Sequence, residues 1–580
     1  MLLETTARSV TPRIALGACV GALSLAVACS DDAPADETDA GRAVDSGAGD
    51  AGTDGGGPGP GEDGGELVTG VEVSHDREVR GVWFATVHNI NWPSRAGLDA
   101  ATQRRELDAL LDAAARAGLN TVYFQVRAEA DAFYPSDVEP WSRFLTGTMG
   151  VDPGYDPLDY AIRGAHARGL ELHAWMNPYR ALASSSASLA SSCHISRMRP
   201  DLVVPYGSFH WIDPGLADGQ AHTLAVIRDV LERYDVDGLH FDDYFYPYPE
   251  AGVPFPDGGT YDAYRAAGGT FSLGDFRRDN VNRLVEAVHV LVREVRPDVR
   301  FGISPFGIYR PGMPPGITGL DAYDAIYADP LAWLEGGWVD YIAPQLYWPT
   351  TQRAQAYGVL LDWWADRATD AGKDLYVGNF TNKLGMDAAW TVAELLEQIR
   401  LTREARDRRA LGNIHFHIGP IHTNRSGLTD ALLRDFYGPP AASPPIPGET
   451  GRPPTPRFTV HEADVTPEVS GEVRYFAVYR DGSLERLVPG VERPFALAHG
   501  EYLVSVIDRR SMESLALPVE VTADTAPPPG ASCTHSLGGV YAHQGCSASY
   551  QCCDGAWRMG TAVCGPCVCT EETGEVGCTP

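Results

Sequence analysis

Clustered basic residues are what this chain most plainly lacks. It has 46 Lys and Arg against 77 Asp and Glu, for a net charge of -31. Phosphate backbones are held by grouped Lys and Arg, so nucleic acid is not an expected partner, whereas a neutral glycan is compatible with an acidic protein. A Gly-rich dinucleotide loop is also missing after the first strand candidate, which counts against a doubly wound nucleotide-binding sheet. The apolar run at 14–27 is too short for a comfortable membrane span. Large apolar residues are nearly absent from 30–66, so that stretch cannot bury a core and is expected to be a disordered acidic tether. Cysteine is sparse until the last fifty residues, where eight of the eleven are found.

What is present at the N-terminus looks like an export signal. Arg8 and Arg13 precede the apolar run, which ends Ala26-Val27-Ala28-Cys29. That ending resembles a bacterial lipobox, with Ala26 where Leu is preferred. The resemblance implies lipidation of Cys29, anchoring without a transmembrane helix, and, with Ser30 next, the outer membrane. Plain signal cleavage near Ala28 is the alternative. The Cys-rich module at 531–580 reads as a disulfide framework, with zinc at Cys564 and Cys567 as the competing reading. Cys193 is left over and is expected to be buried or free.

Between residues 76 and 437, apolar runs alternate with amphipathic stretches. Strand candidates lie at 80–87, 121–127, 170–177, 238–245, 301–307, 339–348, 374–380 and 413–419. Helix-like stretches lie at 102–117, 157–168, 219–234, 275–296, 352–371 and 391–409, with Gly118 and Gly169 at helix C-termini. Eight strands alternating with helices predict an α/β fold, a (β/α)8 barrel. After a Pro/Gly-rich linker, short β runs at 457–523 predict a small fibronectin type III-like β-sandwich.

Strand alternation turns the barrel into a site prediction, because one side-chain phase meets the helices and the other the barrel interior. Val122, Phe124 and Val126 go outward, leaving Tyr123, Gln125 and Arg127 inward. Likewise His173, Trp175 and Asn177 face inward, as do His240 and Asp242, Gln345 and Tyr347, and His415 and His417. Barrel enzymes place reacting groups at strand C-termini, so Arg127, Asn177, Asp242, Asp243, Gln345, Tyr347 and His417 are expected at the mouth. His173 and His240 also read as hydrogen-bonded interior groups, Arg127 as the neutraliser of a buried carboxylate, and Trp175, Tyr244 and Tyr246 as packing aromatics. Asp242 stands apart, since an inward carboxylate is costly unless paired or used.

Carboxylates beside aromatics in Asp237-Gly238-Leu239-His240-Phe241-Asp242-Asp243-Tyr244-Phe245-Tyr246-Pro247 suit sugar cleavage. Other motifs are Arg80-Gly81-Val82-Trp83, Phe124-Gln125-Val126-Arg127, Asp131-Ala132-Phe133-Tyr134, His173-Ala174-Trp175-Met176-Asn177-Pro178 and Asp213-Pro214-Gly215. Ile303-Ser304-Pro305-Phe306-Gly307 and Asp340-Tyr341-Ile342-Ala343-Pro344-Gln345-Leu346-Tyr347-Trp348 follow in order. Together they resemble the bacterial glycosyl hydrolase-like 10 family, with Asp213 where relatives often have Asn and a Ser-rich loop after Asn177. The resemblance implies glycan hydrolysis, with peptide-free peptidoglycan strands as the attractive substrate.

Asp242 and Asp243 are the expected catalytic pair, and Glu129 and Asp131 the best outside carboxylates. Gln125, Arg127, Asp131, Trp175, Asn177, His240, Tyr244, Gln345, Tyr347 and His417 are expected to contact substrate. The two carboxyls sit about 5–5.5 Å apart for retention and roughly 6.5–9.5 Å for inversion, and an N-acetyl sugar can also supply its own acetamide. No cofactor or metal is expected. Three rivals are a metallohydrolase using His173, His240, His415 and His417, a non-catalytic glycan-binding protein, and an envelope scaffold.

Overall fold

The computed structural model describes residues 70–522 and the backbone of five short strands between 540 and 578. Eight parallel strands close into a barrel: β1 (Val79–Phe84), β2 (Thr121–Arg127), β3 (Glu171–Met176), β4 (Gly238–Phe241), β5 (Arg300–Ile303), β6 (Tyr341–Ile342), β7 (Asp374–Asn379) and β8 (Ala410–His415). β1 closes the circle by pairing with both β2 and β8. Helices α1 (Ala100–Arg116), α2 (Pro157–His166), α3 (Ala217–Arg233), α4 (Leu273–Val295), α5 (Pro330–Glu335), α6 (Tyr357–Ala371) and α7 (Val392–Glu404) cover the outside.

Local chemistry explains these boundaries. Asp99 and Asp156 cap α1 and α2 by accepting from the backbone N–H groups of Thr102 and Asp159, and Pro157 opens α2 with its fixed φ. Gly118, at φ +72°, turns the chain after α1 where a Cβ would lie 2.3 Å from the Tyr437 carbonyl.

The two strand phases separate as the alternation predicts. Val122, Phe124, Leu172, Ala174, Leu239, Phe241 and Ile342 join the large apolar layer under the helices. Trp83, Tyr123, Trp175, Tyr341, Tyr376 and Ile414 fill the barrel interior.

The last strand departs from expectation. Between Leu375 and Val377 of β7, β8 advances from Ala410 to Asn413, one residue more than its partner. That irregularity inverts the phase, so Ile414 points in. His415 points out, bonded to the Thr381 hydroxyl and the Tyr437 hydroxyl at 3.1 Å each.

Below the barrel sits a β unit of two antiparallel sheets. One contains β9 (Arg457–His461), β10 (Asp464–Glu468) and β13 (Phe495–Ala496), and the other β11 (Val473–Arg480), β12 (Ser483–Pro489), β14 (Gly500–Asp508) and β15 (Leu517–Val521). They share a core around Phe476, Val478, Val504 and Val519. Arg474 pairs with Asp237, Arg509 with Asp298 at 3.0 Å, and Arg300 donates to Ser511 Oγ at 2.8 Å. All three contacts lie at the strand N-termini, so this unit covers the floor and leaves the opposite mouth open.

In the tail, Val540–Ala542, Ser549–Cys553 and Ala556–Gly560 form one antiparallel sheet, and Cys567–Cys569 pairs with Val576–Cys578. Cys193 is disulfide-bonded, which corrects the expectation of a leftover thiol. The signal segment, Cys29, the tether and the cysteine pairing of the tail lie outside the described residues.

Candidate active site

β4 ends at Phe241, four residues before the predicted strand end, and this shortening lets neighbouring carboxyls enter one site. Asp242 and Asp243 no longer alternate across a regular strand. Both are buried at the mouth, at 6% and 2% exposure.

Asp242 is held from three directions. Trp175 Nε1 donates to its Oδ2 at 3.1 Å, Asn177 Nδ2 to the same oxygen at 2.5 Å, and the Tyr244 backbone N–H to Oδ1 at 3.2 Å. Burial, then the charge of Asp243, raises Asp242 to about 7, against the opposing pull of Arg180 and of the Tyr244 and Asn177 donors. Burial raises Asp243 too, and the Tyr248 hydroxyl that donates to its Oδ2 pulls it back down. Two carboxyls that feel each other titrate as a pair, and this pair retains a proton near neutral pH.

A relay fixes Asn177. Its Oδ1 accepts from Gln125 Nε2 and Arg180 Nη2, both at 2.7 Å. Gln125 is itself locked, accepting at 2.9 Å from the backbone N–H groups of Thr86 and Val87. The amide of Asn177 therefore presents its N–H side to Asp242. Arg180 lies over the Tyr244 ring at 5.3 Å.

Half-buried aromatics ring the pair. Tyr347 stacks on Phe380 with centroids 4.6 Å apart, and Phe416 lies 5.8 Å from Tyr347. Burial, then the charges of Asp243, Tyr244 and Asp242, drive the Tyr347 phenol well up, which places it beside the carboxyls. On the other flank Tyr244 packs edge-on against Tyr248 at 5.7 Å. Gln345 donates to the Ser304 carbonyl at 3.0 Å and also helps lower Asp243.

Several predicted contacts are supports instead. Arg127 is fully buried, with Nε and Nη2 on Glu139 at 2.8 and 2.6 Å and Nη1 on the Asn177 carbonyl at 2.5 Å. Fully covered in this way, it is not presented to a sugar. Gln125 is likewise fully buried. Asp131 is also covered, accepting from the backbone N–H groups of Ala128 and Glu129 at 3.0 and 2.8 Å. Glu129 is tied to Arg143 at 2.5 Å, so neither carboxyl of this loop is offered to the mouth. His240 lies a layer deeper, accepting from Trp83 Nε1 at 3.1 Å and meeting the Tyr341 hydroxyl at 3.0 Å. Burial lowers it far below the usual histidine range, so it is neutral.

His417 is half-buried at the rim, where it accepts from Asn91 Nδ2 at 2.7 Å. His173 shares the Tyr341 hydroxyl with His240, whereas His415 faces the helices, so the four histidines do not converge. Among the described residues no cluster of three or more His, Cys, Asp or Glu has the geometry to hold a metal ion.

With the pair placed, similarity to known proteins becomes informative. A sequence profile described as Glycosyl hydrolase-like 10 matches residues 78–392. The chain belongs to this family. It is 38% identical over 449 residues to Glycosyl hydrolase YngK of Bacillus subtilis, covering 73% of this chain and 87% of that one. It is 37% identical over 330 residues to Glycosyl hydrolase DigH of Escherichia coli K12, covering 53% and 74% respectively. Among solved structures, the PgaB (BpsB) glycoside hydrolase domain from Bordetella bronchiseptica aligns with 65% of this chain and 100% of its own, at 14% identity and TM-score 0.41. The family match spans β1 to β7, and so includes both aspartates and every residue of the Asn177 relay.

Sequence reasoning missed Arg180, Tyr248, Phe380, Phe416 and Asn91. Tyr248 had a signal, since it lies just past Pro247 in the same aromatic run. Arg180 had none, because it belongs to the loop after β3, where the strand Arg180–Leu182 forms a small sheet with Phe209–Ile212 and Val203–Tyr206.

Proposed function

We propose that this protein is a glycoside hydrolase of the cell envelope. It cleaves N-acetyl-sugar glycan strands such as peptide-free peptidoglycan and is tethered through lipid on Cys29. The observation that carries the reading is the buried Asp242–Asp243 pair at the C-terminal end of β4, flanked by Tyr248 and Tyr347. In this account Asp242, raised to about 7, is the proton donor to the glycosidic oxygen. Asp243, kept lower by Tyr248, is the ionised partner that steadies positive charge developing on the sugar. Tyr347, Phe380 and Phe416 offer flat apolar faces for pyranose rings. The relatives' names support glycan cleavage.

The remaining modules fit an exported protein. Residues 1–29 are the lipoprotein signal, 30–66 the acidic tether, 457–523 a fibronectin type III-like module and 531–580 a disulfide-rich tail. Incubating the full chain with peptide-free strands, intact peptidoglycan and chitin oligomers tests the substrate class. Release of soluble fragments from the peptide-free strands in preference to the other two is expected. Retention on the glycan with no fragments released would favour a glycan-binding lipoprotein.

A further inference from the structure

Beyond the carboxyl pair, the mouth has a cationic edge. The chain contains two lysines, Lys373 and Lys383. Lys373 sits below the barrel, donating to the Gly337 carbonyl at 3.1 Å. Lys383 is at the other end of β7, with Nζ 5.6 Å from the centre of the Phe380 ring that stacks on Tyr347. Arg425, from the loop after β8, reaches over to donate to the Asn382 carbonyl at 3.1 Å.

Lys383 and Arg425 thus flank one loop from two strands, and both are half-buried. Neither forms an ion pair with a described carboxylate, in a protein whose net charge is -31. The neighbouring His417 adds no charge at neutral pH, because burial and then the Arg425 charge hold it near 4. A neutral sugar is served by aromatics and amides and gives no reason for two unopposed cations beside them. An anion on the ligand does, since charge-assisted hydrogen bonds to Lys and Arg are the strong ones. The two buried aspartates beside Tyr347 at the same mouth disfavour a multiply charged group, which leaves a single carboxylate.

We propose that Lys383 and Arg425 form a subsite for a sugar-borne carboxylate, so that the glycan recognised carries free acid groups beside the bond being cut. The inference rests on the glycan-cleaving reading above. It also gives that reading a physical basis for preferring peptide-free strands: removing a peptide from a lactyl side chain exposes a carboxylate, whereas the peptide-linked form is a neutral amide at that atom.

The test compares peptide-free strands with the same strands amidated at their lactyl carboxyls, using the full chain. Wild type is expected to show kcat/KM on the order of tenfold higher on the acid form, the discrimination given by about 1.4 kcal/mol. In the Lys383→Gln/Arg425→Gln double variant the acid-to-amide ratio falls to about one, and Lys383→Arg retains it. A ratio near one in wild type, or a preference that survives in the double variant, overturns the subsite. Should wild type cut neither form, the glycosidase reading fails separately, and retention of the protein on the two forms decides. Stronger retention on acid strands, lost in the double variant, upholds the subsite. Equal retention overturns it.

Discussion

Replacing Asn177 with Ala perturbs Asp242 without touching the carboxyls themselves. Asn177 Nδ2 donates to Asp242 Oδ2 at 2.5 Å, and a donor to a carboxylate favours the ionised form. Hydrogen bonds to charged groups contribute about 1.5–3 kcal/mol. At 1.36 kcal/mol per pH unit, losing this one raises Asp242 by about 1–2 units. The proton donor works while protonated, so wild-type kcat/KM should fall as pH rises through about 7. In Asn177→Ala that falling limb moves to higher pH by about 1–2 units, while kcat drops because Asp242 is less well aimed. The substitution also strips Gln125 Nε2 and Arg180 Nη2 of their acceptor. Asn177→Asp is the control, since it keeps an acceptor for both while placing another carboxyl against Asp242, and it moves the limb in the same direction. The assay is kcat/KM against pH on peptide-free strands, with unfolding followed in parallel. A limb that stays in place or moves down in both variants refutes the relay as the force that sets Asp242.

Other expectations follow from the same geometry. Tyr248→Phe removes the hydroxyl on Asp243, so Asp243 ionises at higher pH and the acid limb of kcat/KM moves up; an unmoved limb contradicts its role as the ionised partner. Arg127→Met leaves the buried Glu139 with only His222 as a side-chain partner, which should cost about 3–5 kcal/mol in denaturant unfolding. Direct contact of Arg127 with sugar would instead show as a raised KM with unchanged stability. Glu139, held at about 2 by the Arg127 and His222 pairs against its burial, contributes stability that is present above its unfolded value near 4.5 and lost as pH falls through about 2. Denaturant midpoints measured down this range in wild type and Glu139→Gln should converge at the acid end. Phe380→Ala takes away the face on which Tyr347 stacks and is expected to raise KM severalfold more than it lowers kcat.

Most of the barrel was legible because its two side-chain phases obey different solvents. Val122, Phe124 and Val126 lie under the helices and Tyr123 inside the barrel, as the alternation of β2 predicts up to Gln125. The last strand broke the pattern because one additional residue near Leu411 and Gly412 shifts its register, and a bulge leaves no mark in hydrophobic periodicity. Alternation also says which way a side chain points but not what meets it there. Gln125 points inward as predicted, yet Asn177 from the end of the neighbouring strand occupies it, while a register shift after Gln125 sets Arg127 level with the outward Met176, where Glu139 holds it. Asp131 reads as a free carboxylate after a strand, although it caps its own turn. The pair Asp242 and Asp243 was visible as two adjacent acids, but their sharing of one site depends on β4 ending at Phe241. Arg180 and Phe380 gain their places from packing between loops far apart in sequence, which no local pattern encodes.

The most direct test of the account is the release of soluble glycan fragments from peptide-free strands by wild type, Asp242→Asn and Asp243→Asn, with strand binding measured on the same samples. The account predicts cleavage by wild type, its loss in both variants, and binding retained in all three. Undiminished cleavage by Asp242→Asn, or glycan binding with no cleavage by wild type, would contradict it.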